Sequence, residues 1–206
     1  DYEFAKYIAA FTYGNIHSSS EILIELNQDV PAVELNQEIN QELFKFSPSI
    51  KGKAYWAISR TIKFAPEPGH LKSGQEYDAW FTLGKVLQVE SKFKEFYFHF
   101  FVPQQNFKVD IYPYSPMKDN DLVWNTVQGK LTLADDAEID KINKMFSISG
   151  GKMANTKINV TPTETKGIFN IRIDSLLRER HDIEYTLKVD GSPIGVKREE
   201  QLPVAI

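Results

Sequence analysis

The chain has no cysteine among its 206 residues, which excludes a disulfide, a thiolate nucleophile, an iron–sulfur cluster and a Cys-based zinc site. That absence leaves the compartment open, because a bacterial secreted protein can lack disulfides as readily as a cytosolic one. Positive charge is not in excess either. Lys and Arg number 24 against 28 Asp and Glu, a formal net charge of −4, so the basic footprint that a phosphate backbone demands is missing and no nucleic-acid partner is expected. No uncharged apolar run approaches the ~18 residues of a membrane span. The four His, at 17, 70, 99 and 181, show neither the i, i+2 nor the i, i+4 spacing of a common metal site, and no metal or cofactor is expected. His99 alternates with Phe98 and Phe100 and is expected on the wetter face of a strand, and His70 follows Pro-Gly in a turn.

What the chain has in quantity is aromatic residues and strand signal. It holds 14 Phe, 9 Tyr and 3 Trp, and 42% of its residues are hydrophobic, enough to build real cores. Glu21-Ile22-Leu23-Ile24-Glu25-Leu26 is rich in strand formers. Apolar and polar residues alternate through Thr61–Phe64, Tyr77–Leu83, Phe107–Tyr112, Lys130–Leu133, Lys157–Val160, Phe169–Ile173 and Tyr185–Val189. One face of each strand is apolar and the other polar, as an antiparallel sheet with one wet face requires. Turn residues punctuate them: Ser47-Pro48, Lys51-Gly52, Pro66-Glu67-Pro68-Gly69, Ser73-Gly74, Gly150-Gly151 and Asp190-Gly191-Ser192-Pro193. Helical pattern is confined to a turn or two within Asp1–Ala10 and to Ile139–Met145, with Asp135-Asp136 placed to cap the latter.

An internal repeat organises these segments. In the first half, the strand at 22–26 leads through an acidic stretch to Leu43-Phe44-Lys45-Phe46-Ser47-Pro48, a Lys-Gly turn, Thr61–Pro66 and Leu71–Tyr77. In the second, Val127–Leu133 leads through Asp135-Asp136-Ala137-Glu138 to Met145–Ser149, a Gly-Gly turn, Lys157–Pro162, Phe169–Ile173 and Leu176–Tyr185. Phe46 and Phe146 are thereby aligned at a spacing of about one hundred residues, the size of one immunoglobulin-like sandwich. The sequence predicts an all-β protein of two tandem immunoglobulin-like antiparallel β-sandwiches: an N-terminal segment over 1–17, a first domain over 18–104 and a second over 105–206, joined near Pro103-Gln104-Gln105-Asn106. The aromatic content is expected mainly in the two cores.

Catalytic chemistry finds little footing. Asp119-Asn120-Asp121, Asp135-Asp136-Ala137-Glu138 and Glu199-Glu200 are the carboxylate clusters, but the EF-hand pattern is absent, and Asp119-Asn120-Asp121 reads as a solvated turn rather than a calcium loop. Ser18-Ser19-Ser20 and Ser147–Ser149 lack a nucleophile elbow, and Gly150-Gly151-Lys152 lacks phosphate-loop spacing and reads as a hairpin turn. No enzyme activity is expected. The aromatics are better candidates for binding. Trp56 beside Tyr55, Trp80, Tyr112 with Tyr114, and Trp124 offer flat stacking surfaces against the alternative of core packing, and Tyr112, Tyr114 and Trp124 are taken as the candidate interaction surface.

The order of motifs in the first half, Ile-Glu-Leu-Asn-Gln (24–28), Phe-Lys-Phe-Ser-Pro-Ser-Ile-Lys-Gly (44–52), Arg-Thr-Ile-Lys-Phe-Ala-Pro (60–66) and Leu-Lys-Ser-Gly-Gln-Glu-Tyr (71–77), resembles the N-terminal macroglobulin-like domains of bacterial alpha-2-macroglobulins. Residues 22–83 carry this pattern. In it Pro48 and Pro66 end strands, Gly52 and Gly74 allow tight turns and Tyr77 starts a core strand. The second half matches it only loosely, with Ile148 at the place of Pro48. Bacterial immunoglobulin-like modules on adhesins share the motif. The resemblance implies the amino-terminal scaffold of a protease trap facing the periplasm or cell surface, held to the membrane by a lipid anchor upstream of these residues. Its implied partners are other domains of the same chain and the proteases that the whole protein traps. In that family a protease cleaves a bait region, and a Cys-x-x-Gln thioester, where present, captures it; this stretch has no Cys and carries no residue of that step. Because the chain opens at Asp1 without an initiator Met, it is expected to be either a processed form or, by preference, a piece of a longer protein. The other function class that fits the residues is a cell-surface immunoglobulin-like tandem that binds glycan or protein ligands, as an adhesin or polysaccharide-uptake lipoprotein does.

Overall fold

A computed structural model of the chain describes residues 2–151, 156–181 and 183–206. Lys152 of the Gly-Gly-Lys turn, Asp1 and Asp182 lie outside the described residues. The chain divides into two compact units, Asp1–Gln104 and Gln105–Ile206, both built from antiparallel sheets with almost no helix.

The first unit begins with a 3-10 turn over Tyr2–Lys6, followed by strands β1 (Ile8–Phe11), β2 (Gly14–Asn15), β3 (Ile22–Leu26), β4 (Phe44–Ser47), β5 (Gly52–Ile58), β6 (Thr61–Pro66), β7 (Glu76–Phe81) and β8 (Phe96–Phe101). They form two four-stranded sheets, ordered β1-β3-β6-β5 and β2-β8-β7-β4. Every pairing is antiparallel except the short parallel contact of β2 with β8. Phe4 and Ile8 join Ile22, Ile24, Ile62, Phe64, Phe81 and Phe100 in one buried core to which both sheets contribute. The alternation written into Phe96–Phe101 is realised: Phe96, Phe98 and Phe100 point inward, and Tyr97 and His99 lie on the exposed face.

The second unit contains β9 (Phe107–Ile111), β10 (Ser115–Lys118), β11 (Asp121–Leu133), the helix α1 (Ile139–Asn143), β12 (Phe146–Gly150), β13 (Lys157–Pro162), β14 (Ile168–Leu177), β15 (Glu184–Asp190) and β16 (Glu199–Ala205). One sheet runs β10-β11-β14-β13, with β9 pairing the later half of β11, and the other runs β12-β15-β16. Strand for strand this is the order of the first unit, with β11, β12, β13, β14, β15 and β16 in the places of β3 to β8. Its buried core is largely aliphatic, with Phe107 and Tyr185 the buried aromatics among the described residues, so the aromatic cores foreseen for both halves are concentrated in the first. Asp135 does not cap α1. The N-cap is Glu138, without a side-chain bond, while the Asp135 carboxylate accepts the N–H of Asp136 at 2.8 Å.

The strand register corrects the alignment of the repeat. Phe44 lies opposite Phe81, four residues after Tyr77, and Phe146 lies opposite Val189, four after Tyr185. The equivalent pairs are therefore Phe44 with Phe146 and Phe46 with Ile148, two positions away from the motif alignment, and Gly150 takes the place of Pro48. The two tyrosines are the common landmark. The Tyr77 hydroxyl accepts the N–H of Lys72 at 2.9 Å and donates to the carbonyl of His70 at 3.2 Å. The Tyr185 hydroxyl accepts the N–H of Leu177 at 3.1 Å and donates to the same residue's carbonyl at 3.2 Å. Each ties the start of its strand to the segment leading into it.

Candidate interaction surface

The second unit departs from the first at the ribbon made by β10 and the opening half of β11. β11 has 13 residues where β3 has 5, and β14 has 10 where β6 has 6, so the sheet extends past the span that its counterpart covers. The chain marks the start of the extension with polar side chains. Asn125 and Thr126 are buried, and the register of β11 against β14 slips between Asn125 and Val127, a bulge that bends and re-aims the strand beyond it. Thr126 Oγ1 donates to the carboxylate of Asp174 at 2.7 Å. On β14 the slip is answered by Ser175 at φ 62°, whose N–H donates to the sulfur of Met117 at 3.3 Å. The Asn125 side chain, 1% exposed, donates to the carbonyls of Leu122 and Val123 at 3.3 and 3.4 Å, while its Oδ1 has no partner among the described residues.

Beyond this junction the apolar side chains lose their cover. Tyr112 is 47% exposed, Tyr114 37%, Leu122 60% and Val123 48%. The Arg178 guanidinium lies 5.6 Å from the centre of the Tyr114 ring, a cation–π arrangement. Trp124 is half-buried and lines a depression of about 290 Å³ with Met117, Lys118, Asp121 and Ser175. Tyr112, Tyr114 and Trp124, the residues singled out by sequence, thus lie on or next to the ribbon. Leu122, Val123 and Arg178 were not foreseen. The signal for them was present in Leu122-Val123-Trp124, three apolar residues in succession directly after an Asp-Asn-Asp turn.

The remaining candidates are dispersed. Trp56 is buried in the first unit's core and is unavailable for stacking. The Tyr55 hydroxyl donates to the Glu21 carboxylate at 2.8 Å, and burial, reinforced by that carboxylate, pushes the phenol up from its ordinary value. Trp80 pairs with Tyr97 across the outer face of β7 and β8, ring centres 5.7 Å apart. There the Tyr97 hydroxyl donates to Asp78 at 2.6 Å, and His99 Nδ1 stands 3.4 Å from the same oxygen. Asp78 is held below the usual carboxylate range by the Tyr97 hydrogen bond first and His99 second, and the carboxylate in turn pushes Tyr97 up. Glu199 and Glu200 are engaged by Lys188 and Arg198. Among the described residues no group of three or more His, Asp or Glu is arranged to hold a metal ion, and no helix is long and apolar enough to cross a membrane.

No family model matches the chain, and no curated protein matches it in sequence. The surface must therefore be read from its own chemistry. Exposed rings and aliphatic chains set beside guanidinium and carboxylate groups favour contact with another molecular surface.

Proposed function

We propose that the chain is a tandem of two immunoglobulin-like, macroglobulin-like β-sandwiches serving as the non-catalytic N-terminal scaffold of a bacterial alpha-2-macroglobulin-like protease trap at the cell envelope. One observation carries the reading: both units use the same strand order, β1-β3-β6-β5 with β4-β7-β8 in the first and its counterpart in the second, which corresponds to the ABED and CFG sheets of an immunoglobulin-type sandwich. In each, a tyrosine at the start of the sixth strand of that scheme bonds back to the preceding backbone, as in the tyrosine corner of such domains. The motif resemblance over residues 22–83 supplies the family. On this reading the partners are other domains of a longer chain and the proteases it traps, the location is the periplasm or cell surface with a lipid anchor upstream, and the two units supply shape to chemistry located elsewhere.

The test is made on the full-length protein. Incubated with trypsin, it is expected to be cut outside residues 1–206 and to retain a protease that still cleaves small peptides but is blocked from large substrates, while the isolated 206-residue chain inhibits nothing. Full-length protein that leaves digestion of large substrates unhindered contradicts the proposal. The second reading, a surface tandem that binds glycan or protein ligands, is favoured by the exposed Tyr112, Tyr114 and Leu122. Saturable binding on a glycan array, lost in Tyr112→Ala and Tyr114→Ala, would select it.

A further inference from the structure

Leu122 and Val123 line a shallow depression of about 760 Å³ together with Arg178, Glu179, Arg180 and His181. Arg178, Arg180, Asp119 and Asp121 have no ion-pair partner among the described residues, whereas pairs such as Arg60 with Asp29 and Lys166 with Asp136 form elsewhere. Both signs are thus left unpaired within a few residues of two exposed aliphatic side chains. With two arginines against one carboxylate in its lining, the depression suits an apolar side chain with carboxylates beside it, and the ribbon carries such a segment itself: Asp119-Asn120-Asp121-Leu122-Val123.

We infer that a second copy of this chain docks here, the ribbon tip of each copy entering the depression of the other about a twofold axis. In such an isologous contact, any residue that meets a second residue of the partner copy is met by that second residue's counterpart in return. Asp119 and Asp121 of one copy then face Arg178 and Arg180 of the other, with Leu122 and Val123 covered between them. Continuation of the sheet from β10 to β10 is disfavoured, because Pro116 in that edge strand has no N–H to offer. An anionic membrane is a poorer occupant, since the acidic tip would meet headgroups of its own sign. The inference rests on this surface alone and is independent of the scaffold reading.

Sedimentation equilibrium of the 206-residue chain from micromolar to millimolar concentration is the test, with circular dichroism to verify the fold of each variant. Wild type is expected to associate to a dimer. The reversals Asp119→Arg with Asp121→Arg, and Arg178→Asp with Arg180→Asp, are each expected to weaken self-association by about tenfold or more, and an equimolar mixture of the two to recover it to within about threefold. Leu122→Ser with Val123→Ser removes apolar contact without changing charge and is expected to weaken it likewise. A wild type that stays monomeric throughout overturns the inference and leaves the depression to an acidic segment of another protein. Reversal variants that dimerise as well as wild type, or a mixture that fails to recover, overturn it too.

Discussion

Single hydroxyl groups hold the two units' most specific features. Tyr77 and Tyr185 are fully buried rings whose oxygens each serve one backbone donor and one backbone acceptor. Replacing either by Phe leaves the ring's burial intact and strands those groups, so Tyr77→Phe and Tyr185→Phe are each expected to lower stability by about 1–2 kcal/mol in urea unfolding of the 206-residue chain. No loss in either would remove the tyrosines from the account of the fold. On the outer face of β7 and β8, Asp78 makes a different kind of claim. A depressed carboxylate pKa stabilises the fold above the ordinary value near 3.9, and that contribution is lost as pH falls through the lower folded value. The raised Tyr97 contributes below its ordinary value near 10 and loses it as pH rises through the higher one. Tyr97→Phe removes the hydrogen bond that does most to hold Asp78 down, so carbon-detected NMR titration should find the Asp78 carboxyl titrating higher in the variant than in wild type. An unchanged titration would show that the hydroxyl does not hold it.

Between strands, close approach decides as much as alternation. Gly52 was expected to permit a tight turn, but it begins β5, paired with Pro66, and a Cβ there would lie 2.3 Å from the carbonyl oxygen of Ala65. Gly52→Ala should part β5 from β6 at a cost of about 1–3 kcal/mol, read as a lower urea midpoint, whereas Gly74, at φ +71°, does turn the chain as expected. Elements with one clean apolar face were legible. Ile22, Ile24 and Leu26 in β3 and Phe96, Phe98 and Phe100 in β8 announce both the strand and its inner side. Elements that escaped reading are those whose residue types do not mark an inner face. β5 runs Gly-Lys-Ala-Tyr-Trp-Ala-Ile and buries Ala54 and Trp56, but apolar residues stand on both of its faces, so the sequence marks no inner side and leaves Trp56 open between stacking surface and core. The first half of β11 was hidden because Asn125 and Thr126 place polar groups inside. β10 exposes all four of its residues and includes Pro116, which leaves no pattern to read. β16 opens with Glu199-Glu200 and looked like a carboxylate cluster. The candidate surface was therefore half-legible: its aromatic residues by type, its aliphatic tip and its arginines only through the fold.

At the scale of the whole molecule, the claim is that one architecture is used twice. Each unit carries its own buried core, one dominated by phenylalanine and one by aliphatic residues, and its own tyrosine landmark, so very different side chains satisfy the same strand order. That division of the core is what the repeat, read from motifs alone and misaligned by two positions, did not convey. If each unit is complete in itself, neither needs the other to fold. The decisive measurement is made on two fragments, residues 1–104 and 105–206, expressed separately and unfolded in urea while near- and far-ultraviolet circular dichroism are followed. Each fragment is expected to give a β-sheet spectrum with ordered aromatic signal and one cooperative transition, the two spectra together reproducing that of the intact chain. A fragment that remains unfolded until the other is added would contradict the account and make the 206 residues a single continuous unit.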